Sequence, residues 1–393
     1  MRRAFTTAAA LLLALSLAAC GDSSSGDDEG SSGGTVTIGL LSPLTGAIAQ
    51  TAEIQRNAVQ LRVDQINADG GVDGKKLELE VYDTKLDPAV ATQQAQRAIS
   101  QDKVTALIGP WTSTEALAVG EVVERAKVVE INSSAAAEAI TEGKKYIFRT
   151  GPLTGDLTTA MVQMGLESGA ASGALLYDNS SFGLGAKDPI ESAAEASDFD
   201  LVDSVEYPLG ATDVSAQVAA IAKNDPGVVF IAGGGGAEYG LIAKAMVEQG
   251  LDVPLIGFAP LISADAIKIA DGAYDTLPGS YTLGCLDSSK PQYQEFLEQY
   301  KEEYGEAGAL PEQVLQAVDA LNWIAKGLDE SGGKGGDALA TALTELPAAE
   351  SLGGRAGAEQ QFMADDHDAY GEAYLVPYKV ENGAPVQSDI NID

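Results

Sequence analysis

The sequence predicts a doubly wound α/β protein, and three observations carry that prediction. Short apolar runs rich in Val, Ile and Leu recur along the chain, stretches of helical period separate them, and most runs end in a loop of small or polar residues. Continuous apolar runs suit parallel strands covered by helices on both faces, whereas one-faced strands would alternate. The runs are Val36 to Leu41, Leu77 to Tyr82, Val104 to Ile108, Val128 to Ile131, Ala174 to Tyr177, Val228 to Ala232 and Pro254 to Phe258. Between them Ile54, Ala58, Leu61 and Ile66, then Val90, Ala95 and Ile99, fall at roughly helical spacing. Strand and helix therefore alternate, which is the signature of βαβ units.

The loops after the strands are the candidate binding rim. Ser42 to Gly46, Gly109 to Thr114, Asp178 to Gly183, Gly233 to Gly236 and Gly257 to Pro260 each precede a predicted helix. In open α/β sheets ligands bind beyond the carboxyl ends of the strands, where helix N-termini offer free N–H groups. The loops fall before and after residue 150, which predicts two sheets facing one another.

Length and composition exclude several functions. The 393 residues allow about two domains. A hydrophobic fraction of 45% is ordinary for a protein with a packed core. The formal charge of −34, from 24 basic and 58 acidic side chains, opposes nucleic-acid binding, which needs clustered Lys and Arg. The single histidine, His367, rules out a multi-histidine zinc site, and no metal or cofactor is expected. Its setting, Asp365-Asp366-His367-Asp368, reads as a solvated acidic loop. An EF-hand calcium loop fails because Tyr370 and Pro377 stand where ligands belong. Walker A spacing, a Gly-x-Gly-x-x-Gly after a strand and a Gly-x-Ser-x-Gly elbow are all missing, so a binding protein is expected rather than an enzyme. The Gly233 to Gly236 run reads equally as a flexible turn or as a place where a ligand approaches closely.

The N-terminus is read as an export signal. Arg2 and Arg3 precede a mostly apolar stretch from Ala8 to Ala19, about half of the ~20 residues that span a bilayer. Leu17-Ala18-Ala19-Cys20 resembles the lipobox of bacterial lipoproteins, which implies lipidation of Cys20 and anchorage to the outer face of the cytoplasmic membrane. Residues 21–34 hold only Gly, Ser and acidic residues, a flexible linker of roughly 20 Å. Cys285 then has no intramolecular partner and reads as a small buried hydrophobe.

Further residues carry a family resemblance. Thr37 to Gly46, Ile66 to Leu77, Tyr82-Asp83, Asp87-Pro88, Ile108-Gly109-Pro110, Phe148-Arg149-Thr150, Tyr177-Asp178-Asn179 with Phe182-Gly183, and Val228 to Phe230 occur in order. Together they resemble the leucine/isoleucine/valine-binding protein family, the type I solute-binding proteins of bacterial ABC importers. The resemblance implies two Rossmann-like lobes around a cleft, joined by three crossings near Thr150, Tyr281 and Ala369. Lobe I would comprise residues 35–150 and 281–368, and lobe II residues 151–280 and 369–393. It implies a monomer that closes on a small amino acid or related carboxylate or amide, then docks on a membrane permease driven by ATPase subunits. A ligand-sensing receptor of the same fold, taking a non-amino-acid such as an amide or aromatic acid, stands as the alternative.

The resemblance also assigns site residues. Ser113, with Thr112 and Thr114, matches the family's carboxylate-binding position, and hydroxyls and N–H groups at a helix start do stabilise anions. Simple capping of the helix by Ser113 is the structural alternative. Trp111 falls on the apolar lining, Ala135 and Ala136 on the loop after the fourth strand, and Phe182 on an aromatic that packs against ligand. Two other family aromatics fall on Gly235 or Gly236 and on Thr51, which implies extra room near the glycines. The positions that hold an amino acid's ammonium fall on Ala136 and Ala259, neither with a side-chain oxygen. The carbonyls of residues 132–136, or Asp178, Glu238 or Glu53, would then have to receive it, because a buried ammonium needs acceptors.

Overall fold

The computed structural model describes residues 34–46, 48–305, 310–371 and 374–392. The expected export signal, Cys20 and all of the expected linker except Gly34 lie outside the described residues. Among the described residues no helix is long and apolar enough to cross a membrane.

The first half builds one parallel sheet. In chain order it comprises β1 (Thr35–Ser42), α1 (Ala49–Ala68), β2 (Lys76–Asp83), α2 (Pro88–Ser100), β3 (Ala106–Ile108), α3 (Ser113–Ala126), β4 (Val129–Asn132) and β5 (Ile147–Arg149). The strand order is β2-β1-β3-β4-β5, all pairs parallel. β3 is buried at every position, as its unbroken apolar run requires, and β4 is buried throughout although Glu130 and Asn132 interrupt its apolar residues. Asp87 caps α2 by accepting from the N–H groups of Ala89 and Val90, with Pro88 at the first helical position.

The chain then builds a second sheet from α4 (Thr154–Glu167), β6 (Ser172–Asp178), α5 (Ser181–Ala196), β7 (Asp200–Tyr207), α6 (Ser215–Ile221), β8 (Val229–Ala232), α7 (Gly236–Gln249), β9 (Leu255–Gly257), α8 (Ala264–Ala270), α9 (Ala273–Thr276) and β10 (Ser280–Gly284). Helices α10 (Pro291–Tyr304), α11 (Glu312–Glu330) and α12 (Asp337–Glu345) follow, and α11 packs on α1, β3 and β4 of the first sheet. After the small pair β11 (Ala349–Glu350) and β12 (Glu359–Gln360), the chain returns to the second sheet with β13 (Val376–Glu381) and β14 (Ala384–Gln387). That sheet runs β14-β13-β10-β9-β8-β6-β7, parallel except for its antiparallel β10-β13-β14 edge. Tyr281 falls inside β10, so the chain leaves the second sheet after Gly284. The structure is thus the expected doubly wound α/β fold, with two sheets.

The loop around His367 is not simply solvated, contrary to the expectation. Its backbone lies along β5, with Arg149 N–H donating to His367 O at 2.9 Å and Ala369 N–H to Arg149 O at 3.0 Å. The imidazole stacks on Phe148 at 4.1 Å between centroids, and Nδ1 lies 2.9 Å from Ile147 O. Cys285 is 2% exposed, and burial pushes its thiol well above the ordinary range. A thiol so disfavoured as thiolate is a poor nucleophile.

Candidate functional site

At the carboxyl edge of the first sheet, two loops are tied from inside. After β3 come Gly109 and Pro110, then Thr112 as the N-cap of α3. Thr112 Oγ1 accepts from Glu115 N–H at 3.3 Å, and a Glu115 oxygen accepts from Thr112 N–H at 3.0 Å, completing a capping box. Thr112, not Ser113, therefore caps the helix. Ser113 is left at the first helical position, where its Oγ accepts weakly from Ala137 N–H at 3.4 Å and bridges the loops after β3 and β4. Thr114 is exposed and its hydroxyl lies 3.2 Å from that of Thr112, while Trp111 is half-buried.

Asn132 at the end of β4 organises the same edge. Its Oδ1 accepts from Ser134 and Ala135 N–H at 3.1 and 2.8 Å, and its Nδ2 donates to Pro110 O at 3.1 Å. Arg149 is fully buried and donates to Asp368 Oδ1 (2.7 Å), Ala135 O (3.1 Å), Ala137 O (2.9 Å) and Thr141 Oγ1 (2.7 Å). Guanidinium geometry suits this role, because five N–H donors point in fixed directions.

The edge of the second sheet is built differently. Asp178, at the end of β6, is buried and accepts from Ser180 N–H (3.0 Å), the Ser180 hydroxyl and Gly234 N–H (2.7 Å). Phe182, 44% exposed, meets buried Phe258 edge to face with centroids 5.0 Å apart. Gly233 to Gly236 run over polar side chains of their own sheet. A Cβ would collide with the Tyr207 phenol at Gly233, with the Glu238 carboxylate at Gly235 and with the Ser263 hydroxyl at Gly236.

Two parallel sheets with these loops at their carboxyl edges are the frame of a solute receptor, and a family model of periplasmic binding proteins matches residues 35–384. The chain belongs to the periplasmic binding protein family. Proteins of this family bind solutes without transforming them, so the chain is a binding protein and not an enzyme. It is 29% identical over 287 residues to Leu/Ile/Val-binding protein homolog 8 of Brucella abortus, covering 69% of this chain and 70% of that one. A branched-chain amino acid transporter substrate binding protein of Streptococcus pneumoniae, solved with isoleucine, has a TM-score of 0.71 at 22% identity, covering 90% of this chain and 100% of the other. A solute binding protein of an ABC transporter of Rhodopseudomonas palustris, solved with 3,4-dihydroxybenzoic acid, has a TM-score of 0.71 at 24% identity, covering 90% and 96%. At these identities the two structures share the fold with this chain.

In this periplasmic binding protein the residues expected at the site fall into two groups. Trp111, Thr112, Ser113, Thr114, Ala135 and Ala136 lie together on the edge of the first sheet, and Phe182, Gly235, Gly236 and Ala259 lie at or beside helix starts on the edge of the second. Thr51 is half-buried in the first turn of α1, and Ala259 is exposed at the start of a 3₁₀ turn. Several of the expected spare acceptors are already engaged. Asn132 O accepts from Thr150 N–H, Ala135 O from Arg149 and Ala136 O from Thr154 N–H and Oγ1. Glu53 is exposed and pairs with Arg56 at 3.2 Å, and Asp178 accepts from Ser180 in its own loop and from Gly234 in the loop after β8. Sequence reasoning missed Asn132, Arg149 and Tyr207. Arg149 had been noted only within a motif, because its partner Asp368 is 219 residues away.

Proposed function

We propose that this protein is the extracytoplasmic receptor of an ABC importer of the branched-chain amino acid type, taking a small amino acid or related carboxylate between two lobes. One lobe would comprise the first sheet with α1 to α3 and α10 to α12, and the other the second sheet with α4 to α9. The chain would cross between them near residues 150, 285 and 369. The observation that carries the reading is the start of α3. Because Thr112 does the capping, the hydroxyl of Ser113 and the first-turn N–H groups of Ser113 and Thr114 stand at the sheet edge without a strong partner. Unsatisfied N–H groups at the positive end of a helix dipole favour a carboxylate.

The names of the relatives support the ligand class: one is a Leu/Ile/Val-binding protein homolog, and another was solved with isoleucine. An aromatic acid is the second reading, favoured by the missing oxygens at Ala136 and Ala259 and by the Phe182–Phe258 pair. The protein would be anchored through lipidated Cys20, act as a monomer and deliver its ligand to a permease with ATPase subunits.

Thermal-shift screening tests the ligand class. A ligand at about 1,000 times its Kd adds ~4 kcal/mol of stability. The expected result is stabilisation by an amino acid or a small carboxylate; no response to either class refutes the reading. Incorporation of radiolabelled fatty acid tests the anchor, and a Cys20→Ala variant that still takes up label refutes it.

A further inference from the structure

Helix α11 lies against the chain crossings near residues 150 and 285 and touches both through polar groups. Glu312, Gln316 and Asp319 follow one another at i, i+4 and i+7, so they share one face of the helix. At the first crossing Thr150 Oγ1 donates to Gln316 O at 2.9 Å. Asp319 accepts from Leu352 and Gly353 N–H at 2.9 and 3.2 Å, and the next residue, Gly354, donates its N–H to Cys285 O at the second crossing. Glu312, in the first turn of α11, reaches that crossing directly: its carboxylate accepts from the backbone N–H and the thiol of Cys285. It lies so close to the strand that a Cβ on Gly284 would collide with Oε1. From the second sheet, the Tyr378 phenol of β13 donates to Leu286 O. Gly284 to Leu286 are thus held by one side chain from α11, which packs on the first sheet, and by one from the second sheet. A swing of one sheet against the other about this segment has to change at least one of the two contacts.

Glu312 has no cation to balance it. The titratable groups about it and Tyr378 are Cys285 and Asp287 on the crossing and Tyr293 on α10, all neutral or acidic. Lys290 donates instead to Ser351 O and Gly353 O at 2.7 and 2.6 Å, and faces Glu350, Asp319 and Asp287. Burial raises the Glu312 carboxyl to about 7, against the opposing pull of the two Cys285 donors. The side chain is half-buried, so protons reach it from solvent. Ionised, it is an uncompensated charge in a poorly hydrated place, and the cost drives it off the strand toward water.

We propose that Glu312 is a proton-sensitive latch on the second crossing, holding Gly284 to Leu286 against α11 when protonated and releasing them when ionised, so that hinge motion and ligand affinity vary with pH. The hinge rests on the receptor reading above, and the latch adds a regulator to it. A carboxyl raised in the latched state favours that state fully at low pH. The favour is lost as pH climbs from the ordinary carboxylate range to the raised value, and changes no further above it.

Hydrogen exchange of the full chain, read by mass spectrometry and corrected for the chemical exchange rate, tests the latch without any ligand. Protection of the peptide spanning residues 284–287 should fall roughly tenfold between pH ~5.5 and ~7 and level off above ~8. Glu312→Gln, a neutral isostere that keeps an acceptor for Cys285, should lose this fall. Asp319 also titrates in the interval but is present in both proteins, so their difference reads Glu312 alone. Cys285→Ala removes one donor from the carboxylate and should move the midpoint of the fall to higher pH. Isothermal titration with the standard amino acids and with 3,4-dihydroxybenzoate, at the same two pH values, should give wild-type Kd values that change several-fold more than those of Glu312→Gln. Equal pH profiles of the two proteins, in exchange or in Kd, overturn the inference and leave the receptor reading intact. A wild type that binds no probe overturns the receptor reading, and with it the coupling to ligand, while an exchange profile that follows Glu312 still upholds the latch.

Discussion

The two sheet edges occupy equivalent places in the fold and are stabilised by opposite means. At the first, side chains reach out of the interior to hold backbone: Asn132 gathers two N–H groups and one carbonyl, Arg149 takes two carbonyls, and Thr112 and Glu115 cap α3. At the second, the loop of Gly233 to Gly236 gives up its side chains so that Tyr207, Asp178 and Glu238 can sit beneath it. The first edge therefore presents hydroxyl and N–H donors, and the second lies over acceptors.

The largest expected effect comes from removing the tie at the first edge. Arg149→Met should cost about 3–5 kcal/mol in urea unfolding, because Asp368 loses its guanidinium and two carbonyls lose their donors. A cost below ~1 kcal/mol would show that the first edge is not held by this side chain. Arg149→Lys should recover only part of the loss, since one ammonium cannot reach four separated acceptors.

Next come the glycines, which separate the two edges by what each faces. Gly109 has φ +92°, and a Cβ there meets the backbone oxygen of Leu41, whereas at Gly233 it meets the end of a tyrosine. Gly109→Ala should cost roughly 2–3 kcal/mol and Gly233→Ala about 1–2, because a side-chain tip can yield where backbone cannot. Equal melting temperatures for the two variants would break the distinction.

Buried acids without a cation are not confined to the second edge. Glu130, on β4, is fully buried with both oxygens unpartnered, and burial first, then Glu124, raises it well above the ordinary range. A carboxyl raised on folding contributes stability below its unfolded pKa and loses that contribution as pH climbs toward the folded value. Glu130→Leu should therefore gain ~1–3 kcal/mol at pH 8 and little at pH 4, read from urea midpoints. Asp319, raised to about 6 by burial against the opposing pull of Leu352 and Gly353 N–H and Lys290, should weaken the native fold over the window from ~4 to about 6 in the same sense. An Asp319→Asn variant should flatten the midpoint in that interval, and an unchanged slope would refute the assignment.

The smallest effects distinguish capping from binding. Thr112→Ala should cost ~1 kcal/mol through the lost cap. Ser113→Ala should change stability by less than ~0.5 kcal/mol, since its one contact is a 3.4 Å bridge, yet weaken ligand binding about tenfold. The reverse pattern would return the capping role to Ser113.

Much of the fold was legible because buried parallel strands demand uninterrupted apolar runs. Val36 to Leu41 and Val228 to Ala232 are such runs, and they became β1 and β8. β7 was missed because it is an edge strand, DLVDSVEY, in which most positions are only half-buried and acids interrupt the pattern. β10 and β13 were missed as strands because they close the second sheet from distant parts of the chain, antiparallel to one another. The loop after β3 was recognisable from Thr112 to Thr114, but whether threonine or serine caps the helix depends on where its first turn begins. The glycine run was visible and its cause was not.

By itself the sequence determined the class of the protein and where its loops lie, because hydrophobic period and chain order are local properties that each segment carries alone. Only the tertiary structure decided what those loops face. The contacts that give the two edges their different chemistry, Arg149 with Asp368, Gly233 with Tyr207 and Glu238 with Gly210, join residues that no local pattern links, and they exist only once the sheets have brought them together.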